Sequence, residues 1–168
     1  MNWYKIAQTK IFYVMRGVSG SGKSTKAKSL PGVIPENIFS TDDLIADNLK
    51  DYNEFFRQME ENQDWTPLTM KHEELLVKLQ DAMKHGRSPL VLDNTNLRAY
   101  QSKNYVQSAI KNKYQVIFVD VGTGGLTTEE LVARNHHGVD KETMQKMIDA
   151  YEDEGNLTIN KVLMSEEP

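Results

Sequence analysis

The stretch GVSGSGKST, residues 17–25, constrains this 168-residue chain more than any other. It follows the apolar run KIFYVM (10–15) and opens a segment that reads as helix. Nine residues with three glycines and no large side chain cannot build a core. Gly17, Gly22, Lys23 and Ser24 fit the spacing G-x-x-x-x-G-K-[ST], between a predicted strand and a predicted helix, which is the context that motif requires. Its physics is definite. Glycines let backbone N–H groups turn inward around an anion, and the helix N-terminus adds partial positive charge. Lys23 supplies a cation for the β- and γ-phosphates and Ser24 a hydroxyl for Mg²⁺. The Lys23 head group is expected in solvent when no ligand is bound. The alternative, a glycine turn with a capping serine, would match this spacing by chance on the order of once in a hundred such chains at average glycine usage.

The length suits one domain, residues 1–168, with a frayed tail from about 160. A hydrophobic content of 39% is enough for a core. No apolar run approaches the roughly 18 residues of a membrane span, and no membrane partner is expected. MNWYKIAQTK lacks the apolar centre of a signal peptide. Cysteine is absent, which removes disulfides, thiol nucleophiles and thiolate metal sites and fits a reducing cytoplasm (a host's, if the chain is phage-encoded). Asp47, Asp51, Glu54, Glu60, Glu61 and Asp64, against Lys50 and Arg57, account for the whole net charge of −4. A protein that coats nucleic acid should carry a basic face, so this one is expected to engage at most a short or terminal piece of a strand.

Strand and helix patterns alternate along the chain. KIFYVMRG (10–17), NIFST (37–41), LVLD (90–93) and YQVIFVDV (114–121) read as strands. Helices are expected over 23–30, from Leu44 to about Trp65, over 68–85, from Arg98 to Lys113, in TTEELVARNHH (127–137) and from about Lys141 to Glu152. Thr127 or Thr128 would cap the fifth of these, and the leucine and methionine stripe of 68–85 is core. The alternation predicts an α/β fold, a mainly parallel sheet with helices on both faces.

Two later stretches bear on what happens to a bound nucleotide. STDDL (40–44) follows a short strand, so Asp42 and Asp43 fall near the carboxyl edge of the sheet, where such folds bind ligands. One of them, Asp42 by preference, could take the proton of an attacking hydroxyl, while STDD could equally cap the next helix. LVLDNTNL (90–97) places Asp93 at the same edge, able to hold Mg²⁺ through water, with Asn94, Thr95 and Asn96 free to bond neighbouring loops. LVARNHHGVDKE (131–142) joins two helices around a glycine like a hinged lid, with Arg134 placed to stabilise charge on a transferring phosphoryl group. His136 and His137 are adjacent and have no third ligand nearby, which argues against zinc.

Taken together, GVSGSGKST, STDDL, DNTNL and LVARNHHGV, in this order and spacing, resemble the P-loop kinases of the bacteriophage polynucleotide kinase type. The resemblance is closer still to the kinase-like domain of an animal ubiquitin-ligase-binding protein and its bacterial and phage relatives. It runs from about Ile11 to Tyr151. It implies a P-loop NTPase fold with a small helical lid. It also implies transfer of the γ-phosphate of ATP, or of another nucleoside triphosphate, to a 5′-hydroxyl of RNA or DNA with Mg²⁺. It carries phosphate binding over to Gly20, Gly22, Lys23, Ser24 and Thr25, within a loop that also holds Ser19 and Ser21. It makes Asp42 the general base and Arg134 the lid arginine.

One departure stands out. The phage enzymes carry an arginine shortly after the paired aspartates to grip the acceptor's phosphate, where this chain has Leu44 and Ile45. Arg98, just after DNTNL, is the candidate substitute, with Asp43 beside the acceptor. Three readings follow: a kinase for the 5′ ends of RNA or DNA or for short oligonucleotides; a kinase for another hydroxyl, on a nucleoside, a small metabolite or a hydroxymethylated base; and a binding module switched by its nucleotide.

Overall fold

The computed structural model describes residues 8–168; Met1–Ala7, most of the segment read for a signal peptide, lie outside the described residues. Four parallel strands make one sheet: β1 (Lys10–Gly17), β2 (Ile38–Phe39), β3 (Leu90–Leu92) and β4 (Tyr114–Gly122), in the order β2-β3-β1-β4. All four therefore end on one edge. The interior strand β1 is buried without a break from Phe12 to Gly17, as a strand covered on both faces must be, while successive side chains point to opposite faces. Phe12 and Val14 point into one core with Leu90, Leu92 and Val116, while Tyr13 and Met15 point into the other with Val91.

The first core is covered by α4 (Thr66–Lys84), α5 (Lys103–Lys111) and α8 (Ile159–Met164), through Leu75, Leu79, Met83, Val106, Ala109 and Val162. The second is covered by α1 (Lys23–Lys28), through Ala27, and by the loop after it. A third cluster, Val18, Leu97, Leu131, Met144 and Ile148, seats α6 (Thr128–Arg134) and α7 (Lys141–Glu154) beside the strand ends. The chain is thus an α/β fold, a parallel sheet with helices on both sides.

Several element boundaries differ from the sequence reading, each for a local reason. The single helix expected from Leu44 is two. α2 (Asp42–Ile45) starts earlier and stops at extended Ala46, and α3 (Leu49–Asn62) restarts where the Asn48 side chain accepts from Asp51 N at 2.9 Å. The helix expected from Arg98 opens as a 3₁₀ turn, Ala99–Ser102, before α5 begins. Thr127 caps α6 in a reciprocal capping box with Glu130, but α6 ends at Arg134 because Asn135 is extended. The tail expected from about 160 is partly helix. Thr158 caps α8, and Val162 is completely buried against the main core.

Candidate active site

The first β-strand ends in a register shift. Arg16 lies opposite Asp120, but Gly17 pairs with Gly122, and the chain turns there into the loop 18–22. Gly22 caps α1 with φ +94°, a left-handed conformation that only glycine takes at little cost. Gly20 also has positive φ, and a Cβ there would meet the Leu131 carbonyl oxygen at 2.8 Å. Glycine is therefore what lets α6 lie against the loop. The expectation that Lys23 stands in solvent is wrong. Its side chain is 9% exposed, and Nζ donates to the Val18 carbonyl at 3.0 Å, across the mouth of its own loop. Burial lowers its pKa, while Asp93 and then Asp42 pull it back up.

The DNTNL turn is the joint of the site. The Asn94 side chain accepts from Thr41 N and donates to Thr41 Oγ1, both at 2.9 Å, tying STDD to the end of β3. The Thr95 carbonyl accepts from Gly17 N at 3.0 Å, fixing the start of the phosphate loop. Asn96 donates to the Met15 carbonyl at 2.7 Å. Behind them Arg16, 1% exposed, pairs with Asp120 at 2.9 Å, donates to the Asn96, Leu97 and Tyr151 carbonyls and stacks on the Tyr151 ring. A buried charge needs this full set of partners. Sequence patterns missed it because Arg16 sits inside a strand and its partners lie 80 or more residues away.

These ties surround a cavity of about 340 Å³ at the strand ends. The phosphate loop contributes Ser19, Gly20, Lys23 and Ser24. The STDD turn contributes Ser40, Asp42 and Asp43. Asp93 and Thr95 come from the β3 end, Arg134 from the end of α6, and Asn135, His136 and His137 from the segment after it. Lys28 joins from the end of α1, a cation that no motif signalled. Among the described residues Arg134 is paired with no acid. Gly17 at the end of β1, Ser21 and Gly22 in the loop and Thr25 in α1 do not line the cavity, Ser21 being buried with Oγ unpartnered. Arg98 is a correction. Its guanidinium pairs with Asp153 at the end of α7 and is not part of the cavity.

Asp93 is the most telling group. It is 9% exposed, and its Oδ1 is buried with no hydrogen-bond partner. Burial pushes its carboxyl up, and the neighbouring Ser24 hydroxyl and then Lys23 pull it down. An orphaned carboxylate oxygen beside a serine hydroxyl suits Mg²⁺, which takes one or two protein oxygens and completes its shell with water and phosphate. Consistent with so sparse a donor set, no cluster of three or more His, Cys, Asp or Glu among the described residues could hold a metal alone.

Asp42 and Asp43 form the first turn of α2 and cap nothing; the Asp42 backbone N–H donates to Ser40 Oγ at 3.2 Å. Asp42 Oδ1 accepts from the Tyr52 hydroxyl at 3.0 Å, and Oδ2 lies 3.4 Å from His137 Nε2. Burial and the adjacent carboxylate push the Tyr52 pKa up, so the phenol remains a donor. Burial, and then Asp42, also raise the Asp43 carboxyl. Behind this turn the Thr41 hydroxyl meets His72 Nδ1 at 3.2 Å, and the Tyr105 hydroxyl donates to the His72 carbonyl at 3.2 Å. Tyr52 carried no sequence signal, and the motif holding His137 and the helical spacing holding His72 gave no sign of these contacts, since the three lie in separate segments that only folding assembles.

A glycine-rich loop between the central strand and a helix, a buried lysine, and an aspartate ending the adjacent strand together define a P-loop nucleotide-binding domain. The AAA_33 family model, described as an AAA domain, matches residues 12–153, and the chain belongs to that family. It is 34% identical over 144 residues to human NEDD4-binding protein 2. That stretch is 84% of this chain but 8% of the human protein's length. Among the described residues no helix is long and apolar enough to cross a membrane.

Proposed function

We propose that the chain is an ATP-dependent kinase that phosphorylates the 5′-hydroxyl of RNA or DNA. One observation carries the reading: the Asp42 carboxylate faces the same cavity as Lys23, Asp93 and Arg134. A phosphotransferase needs a carboxylate opposite the phosphate loop to orient and deprotonate the acceptor. In the proposed step the acceptor oxygen bonds to the γ-phosphorus, the bond to the β,γ-bridging oxygen breaks, and ADP leaves. The hydroxyl proton passes to Asp42. Loop N–H groups and Lys23 hold the donor phosphates, and Arg134 offsets charge on the transferring group. Bound Mg²⁺, for which Ser24 and Asp93 are the residues that fit, supplies charge neutralisation on the phosphate oxygens.

A second reading, a kinase for a nucleoside or other small hydroxyl compound, draws on the acceptor side. Ile45 stands where the phage enzymes carry their phosphate-gripping arginine, and Leu44 packs onto the main core. Among the described residues, Lys28 is the one lysine or arginine on the cavity wall beyond those assigned to the donor. Incubation with γ-labelled ATP and a panel of 5′-hydroxyl RNA, DNA, nucleosides and hydroxymethylated DNA decides between the two. Label on oligonucleotides supports the first reading, label confined to small compounds the second, and no label on any acceptor retires both. Each single-strand phosphate contact contributes about −0.7 to the slope of log affinity against log salt. Oligonucleotide binding should therefore show only the shallow slope of about one or two contacts.

A further inference from the structure

Resting on that kinase reading, we propose that the acceptor is recognised by its nucleobase, which stacks on His137 at the cavity end of a row of rings running on through Tyr52, Phe56 and Phe55. The row is continuous. The His137 and Tyr52 ring centroids are 4.6 Å apart with 35° between planes, and those of Tyr52 and Phe56 are 4.8 Å apart with 43°. Phe55 meets Phe56 edge-on at 5.5 Å. Rings at such distances attract one another beyond the area they bury.

Core packing does not account for these rings. Tyr52, Phe55 and Phe56 lie on α3, each half-buried, and among the described residues none of them belongs to or packs onto the three core clusters. The row ends instead at the site. Its last ring, His137, lines the cavity and keeps 36% of its side chain exposed, so the surface that Tyr52 leaves uncovered is open to a ligand. The Tyr52 hydroxyl donates to Asp42 Oδ1 at 3.0 Å, and His137 Nε2 lies 3.4 Å from Oδ2. The same two rings thus adjoin the carboxylate that has to meet the acceptor hydroxyl. In a nucleoside, or at a 5′ end, one sugar separates that hydroxyl from the base, which puts the base within reach of the imidazole.

The platform is braced from both sides. The His137 backbone N–H donates to Asn135 Oδ1, which also takes Val139 N, and the Asn135 amide donates to the Val132 and Val139 carbonyls, joining the turn to α6. Next to it Gly138 lies against Asn53 of α3, where a Cβ would meet that side chain at 3.5 Å. A ring ordered in advance loses little freedom when a base settles on it. Charge favours the same occupant. α3 carries Asp51, Glu54, Glu60 and Glu61 against Lys50 and Arg57, and Arg57 is itself taken by Glu54 and Glu61. Such a helix repels a phosphate backbone but not a neutral base. Every base has a π-face, so stacking of this kind selects a nucleobase over a ringless hydroxyl compound without selecting one base over another.

The test measures label transfer from γ-labelled ATP by the full chain with Mg²⁺, to a nucleoside and to a 5′-hydroxyl oligonucleotide. Each is compared with its base-free counterpart, ribose or the oligonucleotide stripped of its 5′-terminal base, and whichever is labelled identifies the source of the base. Loss of the base should raise the acceptor's KM about 5- to 100-fold. His137→Ala should raise KM for the intact acceptor by a similar factor, more than it lowers kcat and without a matching rise in KM for ATP. His137→Phe, which keeps a ring without the imidazole nitrogens, should return KM toward that of the unaltered chain. Ring and base are the two halves of one contact, so their losses should not multiply: His137→Ala should use intact and base-free acceptors about equally well. Losses that multiply overturn the inference, as do equal KM values for intact and base-free acceptors in the unaltered chain. Label confined to hydroxyl compounds without a ring also overturns it and leaves the kinase reading standing. If no acceptor of any class is labelled, the kinase reading itself fails, and this inference with it.

Discussion

The two walls of the cavity are built on different length scales. On the proposed donor wall the shape is set locally, since Lys23 Nζ reaches the Val18 carbonyl five residues away and the glycines lie inside the same nine residues, while Thr95 and Gly122 anchor only the start of the loop. On the proposed acceptor wall the ties reach further. Thr41 is bonded by Asn94 and His72, 53 and 31 residues on, and Asp42 accepts from Tyr52 of α3 and lies 3.4 Å from His137 of the segment after α6. A phosphate chain is the same in every nucleoside triphosphate, so a short loop of backbone donors is sufficient to hold it. An acceptor varies in shape, and its wall is assembled from separate elements that can change independently.

The sharpest test of this contrast is Asp42→Asn. It keeps the shape of the turn and removes the basic carboxylate, so transfer should fall about 10²- to 10⁴-fold. Binding of a fluorescent ATP analogue should be retained. Asp43→Asn should cost less, and the reverse ranking, read from single-turnover rates, would move the base to Asp43.

Lys23→Met is next. Because the lysine is buried, methionine rather than alanine is the fair replacement, filling the stem's volume without the charge. Loss of a preorganised donor of this kind reduces turnover about 10²- to 10³-fold. The melting temperature should hold or rise, since a desolvated cation has been removed. A near-normal rate would mean that the donor wall is misassigned.

Asn94→Ala breaks the acceptor wall without touching the donor wall. Two partly buried hydrogen bonds are lost, which should cost about 1–3 kcal/mol in urea unfolding. kcat should fall with little change in KM for ATP. An equal rise in KM for ATP would show that the two walls are not separable.

The smallest effect is a pH dependence. His72 is exposed over much of its surface, yet the desolvation of its ring lowers its pKa from 6.5, with Asp42 opposing. A histidine whose folded pKa is depressed contributes stability above its unfolded pKa and loses it as pH falls through the folded value. Thermal stability should therefore decline as pH is taken below about 6.5, and His72→Gln should flatten that decline. Identical profiles for the two proteins would remove His72 from the wall.

Legibility in the sequence follows the same division. Nearest-neighbour chemistry was sufficient for GVSGSGKST, for the three longer strands and for the Thr127 cap, because each is a pattern within about ten residues of chain. The break at Ala46–Asn48 was missed because the polar residues around it suit a helix as well as its start. The C-terminal helix was missed because Val162 has its meaning only from the core it completes.

Local sequence, then, determined the phosphate loop, its strand and helix, and the residue types at the ends of β2 and β3, since backbone geometry and hydrophobic period act over a few residues. Only the tertiary structure decided that Lys23 is buried, that Arg98 is turned away to Asp153, and that Tyr52 and His137 close on Asp42. Those outcomes depend on which distant groups desolvate one another. That is a property of the packed sheet and helices, and no single segment of the chain contains it.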